Sequence, residues 1–373
     1  MSKHLESTQR VPYDGPKDSK ILIVGEAPGA EEVGQRKPFV GKSGELLIRY
    51  LNRVGVGREE VRLANLCQYR PRGNKFELLL NSLELEEGIE ELRKEVENGS
   101  YNVIIALGSW PLWYLTGMCG KEKQKLAPGT GISTWRGSRL PAVEKFKGVK
   151  VFPTYHPSYV LRDWHVNPIF HTDLYHAVED SHFPELRYPE YEEYIDPGSD
   201  QLHDLVRESL ESEWTSVDIE TFRGGKFSCI GWAFKTGGIY KGVCITYKRA
   251  DLWRFAKEVW ESSNRKIFQY GTYDISFMRH FYQWHINGYY NGLGWDTYVA
   301  SASILPDYPR GLDFLCSIYT RFPYYKEERK VWREDGDMMT LWKYNIKDTV
   351  ATLQIGEAQM EEIKQLFRNR RSA

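Results

Sequence analysis

Short apolar runs alternate with longer amphipathic segments through the first half of this 373-residue chain. Each run stops at or near a glycine or a polar residue, which is typical of a buried strand in a parallel sheet. Because the intervening segments are long enough for helices, the pattern predicts a mainly parallel sheet with helices on both faces. The predicted strands are residues 20–24, 61–65, 101–107 and 149–153, and the predicted helices are residues 43–53 and 78–96.

The second half has a different order of elements, in which three strands follow one another before the first long helix. This order predicts an α/β domain that begins with a β-meander. The predicted strands are residues 216–219, 228–234, 242–247 and 266–270, with a helix at 251–262 and mostly helices from Asp274 onward.

The length of the chain predicts two domains of ordinary size. Residues 187–200 are acidic and contain proline and aromatic residues, so we place an interdomain linker around them. The full division is a flexible arm at 1–19, a first domain at 20–185, a linker at 186–210, a second domain at 211–367 and a tail at 368–373.

Composition narrows the classes of partner and compartment. The formal net charge is −1, so a nucleic-acid ligand would have to be held by local basic segments and metal ions. The five cysteines include no C-x-x-C pair, which indicates free thiols in a reducing compartment. The N-terminus has no apolar signal segment, and no apolar run reaches the roughly 20 residues that span a bilayer. We therefore expect a cytoplasmic protein with no membrane partner.

The second half carries four carboxylates and a tyrosine in a suggestive order. Asp218 and Glu220 lie two apart on a predicted strand and share a face. Tyr344 and Asp348 lie four apart on a predicted helix and also share a face, while Asp274 opens a helix after a strand. Carboxylates of this kind bind hard cations such as Mg²⁺ or Mn²⁺, and a pair of such ions catalyses phosphodiester cleavage. Each motif alone is more often a solvated strand end or a helix surface pair.

Taken together, the three motifs resemble those of the DEDD family of 3′–5′ exonucleases, in the subclass with a tyrosine, across residues 212–365. The segments that begin at Trp295 and Arg310 are similar to segments of the proofreading domains of family A DNA polymerases. The resemblance implies a ribonuclease-H-like fold. One position departs from the family, because Tyr270 occupies the place of an asparagine that helps to hold the primer terminus.

The exonuclease resemblance implies a role for each residue. Asp218 would be shared by two Mg²⁺ or Mn²⁺ ions, and Glu220 and Asp348 would be ligands of the first ion. Asp274 would hold the second ion through water, and Tyr344 would orient the attacking water.

Three strand ends in the first half carry further motifs. G-E-A-P-G-A-E-E and K-P-F-V-G-K-S-G follow the first strand, A-N-L-C-Q-Y-R-P follows the second, and T-Y-H-P-S-Y-V-L-R follows the fourth. The glycines and prolines alone could simply shape a strand-to-helix turn. The phosphate-binding loop of nucleotide hydrolases is excluded, because Lys42-Ser43 lacks the required upstream spacing.

These motifs together resemble the family-four uracil-DNA glycosylases across residues 20–180, with an α/β/α parallel sheet. The resemblance implies that the base leaves the stack before it is excised. By this resemblance, Phe39 would stack on the flipped base, Asn65 would read the uracil edge, and His156 would stabilise the departing uracil anion. Glu26 and Glu32 would stabilise the sugar cation or position water. Val160 and Leu161 would fill the vacated stack.

The family holds a four-iron cluster with four cysteines, two of them in an N-terminal C-x-x-C. That pair is missing here, Tyr69 occupies the place of a third cysteine, and Cys67 is displaced by two positions. We therefore expect no iron-sulfur cluster.

The leading hypothesis is a DNA-processing enzyme that joins uracil excision to 3′–5′ exonuclease activity. Its ligand would be DNA, single-stranded or with a frayed 3′ end, with or without uracil. The fusion resembles the N-terminal part of certain phage DNA polymerases, which implies a prokaryotic or phage-infected cell and a polymerase domain or subunit as partner. Two alternatives remain: a nuclease whose first domain only binds DNA or uracil, and a scaffold in which neither site is active.

Overall fold

The computed structural model describes residues 4–118, 131–287, 289, 294–326, 328–329 and 337–371. The chain divides into two compact units, Met1–Arg187 and Tyr188–Ala373. The division lies inside the segment that the sequence predicted to join the domains. Cys119, one of the five cysteines, lies outside the described residues. Within them, no helix combines the length and apolar character that a bilayer crossing requires.

In its described residues, the first unit is a sheet of five strands with helices packed around it. Its strands are β1 (Ile21–Gly25), β2 (Arg62–Asn65), β3 (Val103–Leu107), β4 (Leu140–Pro141) and β5 (Lys150–Thr154). Its helices are α1 (Ala30–Gln35), α2 (Lys42–Arg53), α3 (Leu83–Asn98), α4 (Ser109–Thr116), α5 (Ile132–Trp135), α6 (Pro157–Arg162) and α7 (Asn167–Asp180).

The strand order β2-β1-β3-β5-β4 brings the three sequence motifs to one edge of this sheet. Strands β1, β2, β3 and β5 are parallel, and only the short β4 runs antiparallel. Glu26 follows β1, Asn65 ends β2, and His156 lies two residues after β5. Because parallel strands end at the same edge, these side chains converge where open α/β sheets bind their ligands.

Two predictions for the first unit need correction. Residues 4–14 of the predicted flexible arm are packed, since Leu5 bridges to Pro71, Asp14 bridges to Leu63, and Val11 is 2% exposed. The predicted helix at 78–96 begins later, at α3, because the Ser82 hydroxyl accepts the N–H of Leu85 and caps the helix there.

The second unit, as far as the structure describes it, is a sheet of six strands. These are β6 (Tyr191–Ile195), β7 (Thr215–Thr221), β8 (Phe227–Thr236), β9 (Ile239–Thr246), β10 (Lys266–Phe268) and β11 (Gly294–Asp296). Its helices are α8 (Ser199–Glu211), α9 (Trp253–Glu261), α10 (Thr272–Tyr282), α11 (Thr297–Ile304), α12 (Leu312–Tyr319) and α13 (Met338–Arg371).

The strand order β11-β10-β7-β8-β9-β6 contains the predicted antiparallel meander, β7 to β9. Val217 and Ile219 of β7 join the apolar core on one face. Because side chains alternate along a strand, Asp218 and Glu220 lie on the other face, which α13 covers. Strand β10 runs parallel to β7 and leads directly into α10, which carries Asp274 in its first turn.

The predicted linker at 186–210 is largely ordered structure of the second unit. Strand β6 pairs in parallel with β9, and α8 begins at Ser199. None of the five β6 residues is fully buried, which explains the error, because an edge strand with polar side chains reads like a linker in sequence. The predicted tail at 368–373 also differs, since α13 continues through Arg371 with no proline to end it.

Candidate functional sites

The second unit contains a compact cluster of carboxylates. Among the described residues, Asp218, Glu220 and Asp348 each offer an oxygen within 4.8 Å of the others. Two of them come from β7 and the third from α13, so the site is assembled by packing of the helix against the strand. The Asn345 amide, one turn before Asp348, donates to the Asp218 carboxylate at 2.8 Å and fixes its orientation.

Asp274 lies beside this cluster rather than within it. Its carboxylate accepts the backbone N–H of Ile219 at 2.9 Å, and its side chain is 5% exposed. Burial raises the pKa of Asp274 to about 7. The structure therefore brings all four predicted carboxylates to one region, three of them within the reach of a single ion.

The carboxylates of the cluster are buried and repel one another, so a bound cation would stabilise their charged forms. Burial, together with Asp274 and the other carboxylates, raises the pKa of Asp218 well above its usual range. Burial and Asp348 raise the pKa of Glu220 to about 7. A divalent ion relieves this repulsion, and a donor set made only of carboxylate oxygens suits hard cations. The residues present therefore fit the metal dependence of an exonuclease.

Two cationic side chains that the sequence analysis missed also reach the cluster. The Lys326 ammonium lies 2.6 Å from the Tyr344 hydroxyl and 2.7 Å from Asp348 Oδ2. Arg329 Nε lies 3.2 Å from Glu220 Oε2. Both come from the charged run Y-Y-K-E-E-R-K, which has no spacing relation to the acidic motifs. No sequence signal could have paired them with those motifs.

Tyr270 lies two residues before α10, the helix whose first turn carries Asp274, and is 55% exposed. Its backbone has a φ of 59°, and its N–H donates to Asp296 at 3.1 Å. The ring packs against that of Tyr298, with centroids 4.9 Å apart. An exposed aromatic ring on a fixed backbone suits stacking on a base.

The first unit has an open cavity of about 360 Å³ at the carboxyl edge of its sheet. Five predicted site residues line it: Glu26, Glu32, Phe39, Asn65 and His156. The strand ends that the sequence identified therefore meet in one pocket.

The hydrogen bonds of His156 settle which ring nitrogen carries its proton. Nδ1 accepts the backbone N–H of Ser158 at 3.2 Å and lies 2.8 Å from the Ser158 hydroxyl. Burial, and secondarily Arg162, lowers the pKa of His156 to about 4. The imidazole is thus neutral at pH 7, and its proton is assigned to Nε2. A neutral Nε2–H is a hydrogen-bond donor for an anion that forms in the pocket.

Glu26 and Glu32 have different surroundings. Burial raises the pKa of Glu26 to about 7, with a smaller contribution from Glu77. The Glu32 carboxylate instead accepts the backbone N–H groups of Gly29 and Phe39. Glu26 therefore remains available for chemistry, whereas Glu32 holds the loop that carries Phe39.

Phe39 has a left-handed backbone, with a φ of 54°. Arg58 holds this conformation from the other side, since its guanidinium donates to the Phe39 carbonyl at 2.9 Å and to the Pro38 carbonyl at 2.7 Å. The ring is only 4% exposed and forms a wall of the pocket. A fixed aromatic wall is what a base stacked in the pocket requires.

Gly25 has no room for a side chain, because two residues of the pocket lie against it. A Cβ added there would lie 2.5 Å from Asn65 Oδ1 and 2.8 Å from Phe39 Cζ, so both pocket walls would have to shift. The sequence resemblance implies uracil excision in this pocket, and we expect Gly25→Ala to lower its rate at least about tenfold, because small misplacements at a reacting centre are costly. Gly34→Ala is the matched control, since a Cβ at Gly34 would meet nothing within 4 Å. Unchanged excision by Gly25→Ala in an oligonucleotide cleavage assay would contradict this geometry.

The structure separates the two residues predicted to fill a vacated base stack. Val160 is fully buried on α6, which lies against α2, so it cannot enter DNA. Leu161 is 44% exposed, and Tyr159 and Trp164 beside it are also exposed. The prediction is wrong for Val160 because adjacent residues point to different sides of a helix.

The first unit does not fit an iron-sulfur cluster. Its sequence holds only Cys67 and Cys119, whereas the cluster of the family needs four cysteines. The Cys67 thiol donates to the carbonyls of Tyr69 and Glu84, and burial raises its pKa to about 11. A thiol that remains protonated in this way is a poor iron ligand.

Contacts of the N-terminal segment hold the loop beside Cys67 in place. The N–H of Glu6 donates to the Arg70 carbonyl, and the N–H of Arg72 donates to the His4 carbonyl. The His4 ring lies 2.8 Å from the Glu84 carboxylate. These contacts fix the loop through packing and hydrogen bonds.

Comparison with known proteins identifies both units. The family model of the uracil DNA glycosylase superfamily matches residues 12–177, and that of a 3′–5′ exonuclease matches residues 197–364. The type-4 uracil-DNA glycosylase of Thermotoga maritima is 34% identical over 160 residues, which are 43% of this chain and 76% of that protein. The type-4 enzyme of Pyrobaculum aerophilum is 34% identical over 171 residues, or 46% and 83% of the two chains.

A longer alignment shows similarity between this chain and a phage DNA polymerase. The DNA polymerase of Bacillus phage SP01 is 27% identical over 220 residues, which are 57% of this chain and 22% of that polymerase. The chain thus spans about a fifth of that relative's length. The resemblances and the fold class predicted from the sequence are confirmed.

Solved structures give more distant matches. RNase D of Trypanosoma brucei has a TM-score of 0.36 and 14% identity, covering 47% of this chain and 63% of that one. The EXO domain of Nibbler from Aedes aegypti has a TM-score of 0.38 and 12% identity, covering 48% and 93%. At this level of similarity the matches carry no information on substrate.

Proposed function

This chain belongs to the type-4 uracil-DNA glycosylase family through its first unit and carries a 3′–5′ exonuclease domain as its second, and we propose that both sites act on DNA. The first would excise uracil, and the second would remove nucleotides from a 3′ end with two Mg²⁺ or Mn²⁺ ions. The observation that carries the proposal is the meeting of each motif set at one place: five pocket residues in the first unit and four carboxylates in the second.

The nuclease site would work through its carboxylates and Tyr344. Asp218 would contact both ions, Glu220 and Asp348 the first, and Asp274 the second through water. Bound ions would stabilise the negative charge on the attacking and leaving oxygens of the phosphodiester. Tyr344, whose hydroxyl lies beside Asp348, would orient the attacking water.

The glycosylase site would bind a uracil that has left the base stack. Phe39 would stack on the base, and the Asn65 amide would donate to and accept from its edge. The neutral imidazole of His156 would donate its Nε2–H to the uracil anion as the glycosidic bond breaks. Glu26 would stabilise the positive charge on the sugar, and Glu32 would act by holding the Phe39 loop. Leu161 would fill the vacated stack.

The raised pKa of Glu26 makes the rate of excision depend on pH. Below about pH 7 the carboxyl keeps its proton and is neutral, so it cannot stabilise a cation. We expect excision to rise about tenfold per pH unit up to about pH 7 and then to level off, as for any group needed in its basic form. His156 would add no step near pH 6.5, because its pKa lies near 4. Single-turnover rates from pH 5 to 9 test this, and Glu26→Gln should remove the dependence. A flat profile for the unmodified protein would contradict the role of Glu26.

A direct test of excision uses an oligonucleotide with one internal uracil, treated with the protein in EDTA and then with alkali. The chelator stops the nuclease, whereas glycosidic cleavage by the pocket residues needs no metal. Strand scission at the uracil is the expected result. Intact strands at high protein excess would disprove excision.

A second candidate function is a first unit that binds DNA or uracil without cutting it, leaving the nuclease as the one enzyme. The cysteine set supports it, because the first unit has only two of the four cysteines that the family's cluster needs. The intact set of Glu26, Asn65 and His156 in one pocket favours excision instead. Binding of the uracil oligonucleotide without scission would favour the second candidate.

The similarity to a phage polymerase supports a place in replication. We propose that the two sites edit DNA for a family A polymerase of the phage type, carried in the same assembly within a prokaryotic or phage-infected cell. The preferred ligand would be single-stranded or frayed 3′ ends, with or without uracil. Co-purification of a polymerase with the tagged chain from infected cells tests this, and its absence would contradict the assembly.

A further inference from the structure

Lys326 contacts two residues of the proposed nuclease site, Tyr344 and Asp348. Its ammonium lies 2.6 Å from Tyr344 Oη, 2.8 Å from Asp348 Oδ1 and 2.7 Å from Asp348 Oδ2. An ammonium has three protons, and these three acceptors account for all of them. The side chain is 17% exposed, and its charge lies 4.7 Å from the centroid of the Tyr344 ring.

The contact with Tyr344 determines the direction of the tyrosine's own proton. Lysine can only donate, so Tyr344 Oη accepts from it. The O–H of Tyr344 must then point away from Lys326. The ring itself is held edge-to-face by Tyr325, with centroids 5.7 Å apart. Ring and hydroxyl are thus both fixed, which is what a group that orients a water molecule needs.

The two carboxylate oxygens of Asp348 differ in the number of side chains that donate to them. Oδ1 accepts from both Lys326 and Tyr325, each at 2.8 Å. Oδ2 accepts from Lys326 at 2.7 Å. An ion bound to Asp348 needs one oxygen, and Oδ2 has the fewer protein donors to give up. Oδ1 can remain with Lys326 and Tyr325 and keep the carboxylate oriented.

We propose that Lys326 is a positioning residue of the nuclease, which orients the Tyr344 hydroxyl and the Asp348 carboxylate for hydrolysis. This rests on the proposed nuclease function. The competing interpretation is a counter-ion that merely neutralises Asp348 until a metal ion binds. The two differ in outcome, because removing a positioning residue slows hydrolysis, whereas removing a competitor tightens metal binding.

The test compares Lys326→Met, Lys326→Arg, Tyr344→Phe and the Lys326→Met/Tyr344→Phe double variant. Single-turnover digestion of a labelled single strand in Mn²⁺ gives the rate, and Mn²⁺ titration without DNA, followed by electron paramagnetic resonance, gives the affinity. Lys343→Met is the matched control, because Lys343 adjoins Tyr344 in sequence and is 52% exposed. Uracil excision in EDTA reports folding of the unaltered first unit, and thermal melting reports folding of the second.

We expect Lys326→Met to lower the rate at least about tenfold with little change in Mn²⁺ affinity, and Lys326→Arg to recover part of it, as for a supporting residue behind a metal ligand. The losses of Lys326→Met and Tyr344→Phe should be non-additive, because residues that act as a unit do not add.

Full activity of Lys326→Met with tighter Mn²⁺ binding would overturn the positioning role and identify a counter-ion. Fully additive losses would overturn the orienting of the Tyr344 hydroxyl, since Lys326 would then act independently of Tyr344. A wild-type chain that digests no DNA in Mn²⁺ would instead disprove the nuclease function itself.

Discussion

Asp218→Asn is expected to lower the rate of metal-dependent digestion of a 3′-labelled strand by more than about a hundredfold. Mutation of a residue that only supports a metal ligand already lowers affinity or activity by about 10–100-fold, and loss of a ligand itself should do more. Asp218 offers an oxygen within 4.8 Å of those of Glu220 and Asp348, and burial and all three neighbouring carboxylates, Asp274 among them, raise its pKa. The substitution keeps the shape of the side chain and removes its charge. Both ions would lose a ligand at once.

The matched control is Asp251→Asn, an exposed aspartate of the same unit that pairs with Arg249. Its rate of digestion should equal that of the wild type. Thermal melting of both variants separates loss of chemistry from loss of fold. Digestion by Asp218→Asn at more than about a tenth of the wild-type rate would exclude Asp218 as a shared metal ligand.

Asn65→Ala is expected to lower uracil excision by about a hundredfold or more, the scale for loss of one fixed donor in an active site. Asn65 ends β2, is 6% exposed, and presents its amide to the pocket beside Gly25 and Phe39. The amide can donate to a uracil carbonyl and accept from the adjacent N–H. Without it, polar groups of the bound base would lose their partners.

The control for this change is Asn52→Ala, an exposed asparagine on α2. Single-turnover alkali-revealed scission in EDTA measures excision, and metal-dependent digestion of the same preparation shows that the second unit is intact. Unchanged excision by Asn65→Ala would exclude Asn65 from base recognition and would favour a pocket that recognises the base by shape.

Much of both sites could be predicted because their residues lie at strand ends or at fixed spacings. Glu26, Asn65 and His156 follow parallel strands, which must end at one edge of a sheet. Asp218 and Glu220 share a strand face through the two-residue period. Tyr344 and Asp348 share a helix face through the four-residue spacing.

The features that were missed depend on packing between distant segments. Lys326 and Arg329 reach the carboxylates from a charged run that reads as solvated surface. Val160 faces the core because α6 packs on α2, a contact that no local pattern encodes. Strand β6 reads as linker in the sequence because its pairing with β9, not its apolar content, makes it a strand.

The most direct measurement uses one oligonucleotide that carries a 5′ label and an internal uracil, with wild type, Asp218→Asn and Asn65→Ala. Each protein is assayed twice, in Mn²⁺ for shortening from the 3′ end and in EDTA followed by alkali for scission at the uracil. Two independent sites in one chain predict that the wild type does both, that Asp218→Asn retains only excision, and that Asn65→Ala retains only shortening. The claim of two independent sites would be contradicted if the wild type gave only one product. It would also be contradicted if a single substitution removed both activities from a folded protein.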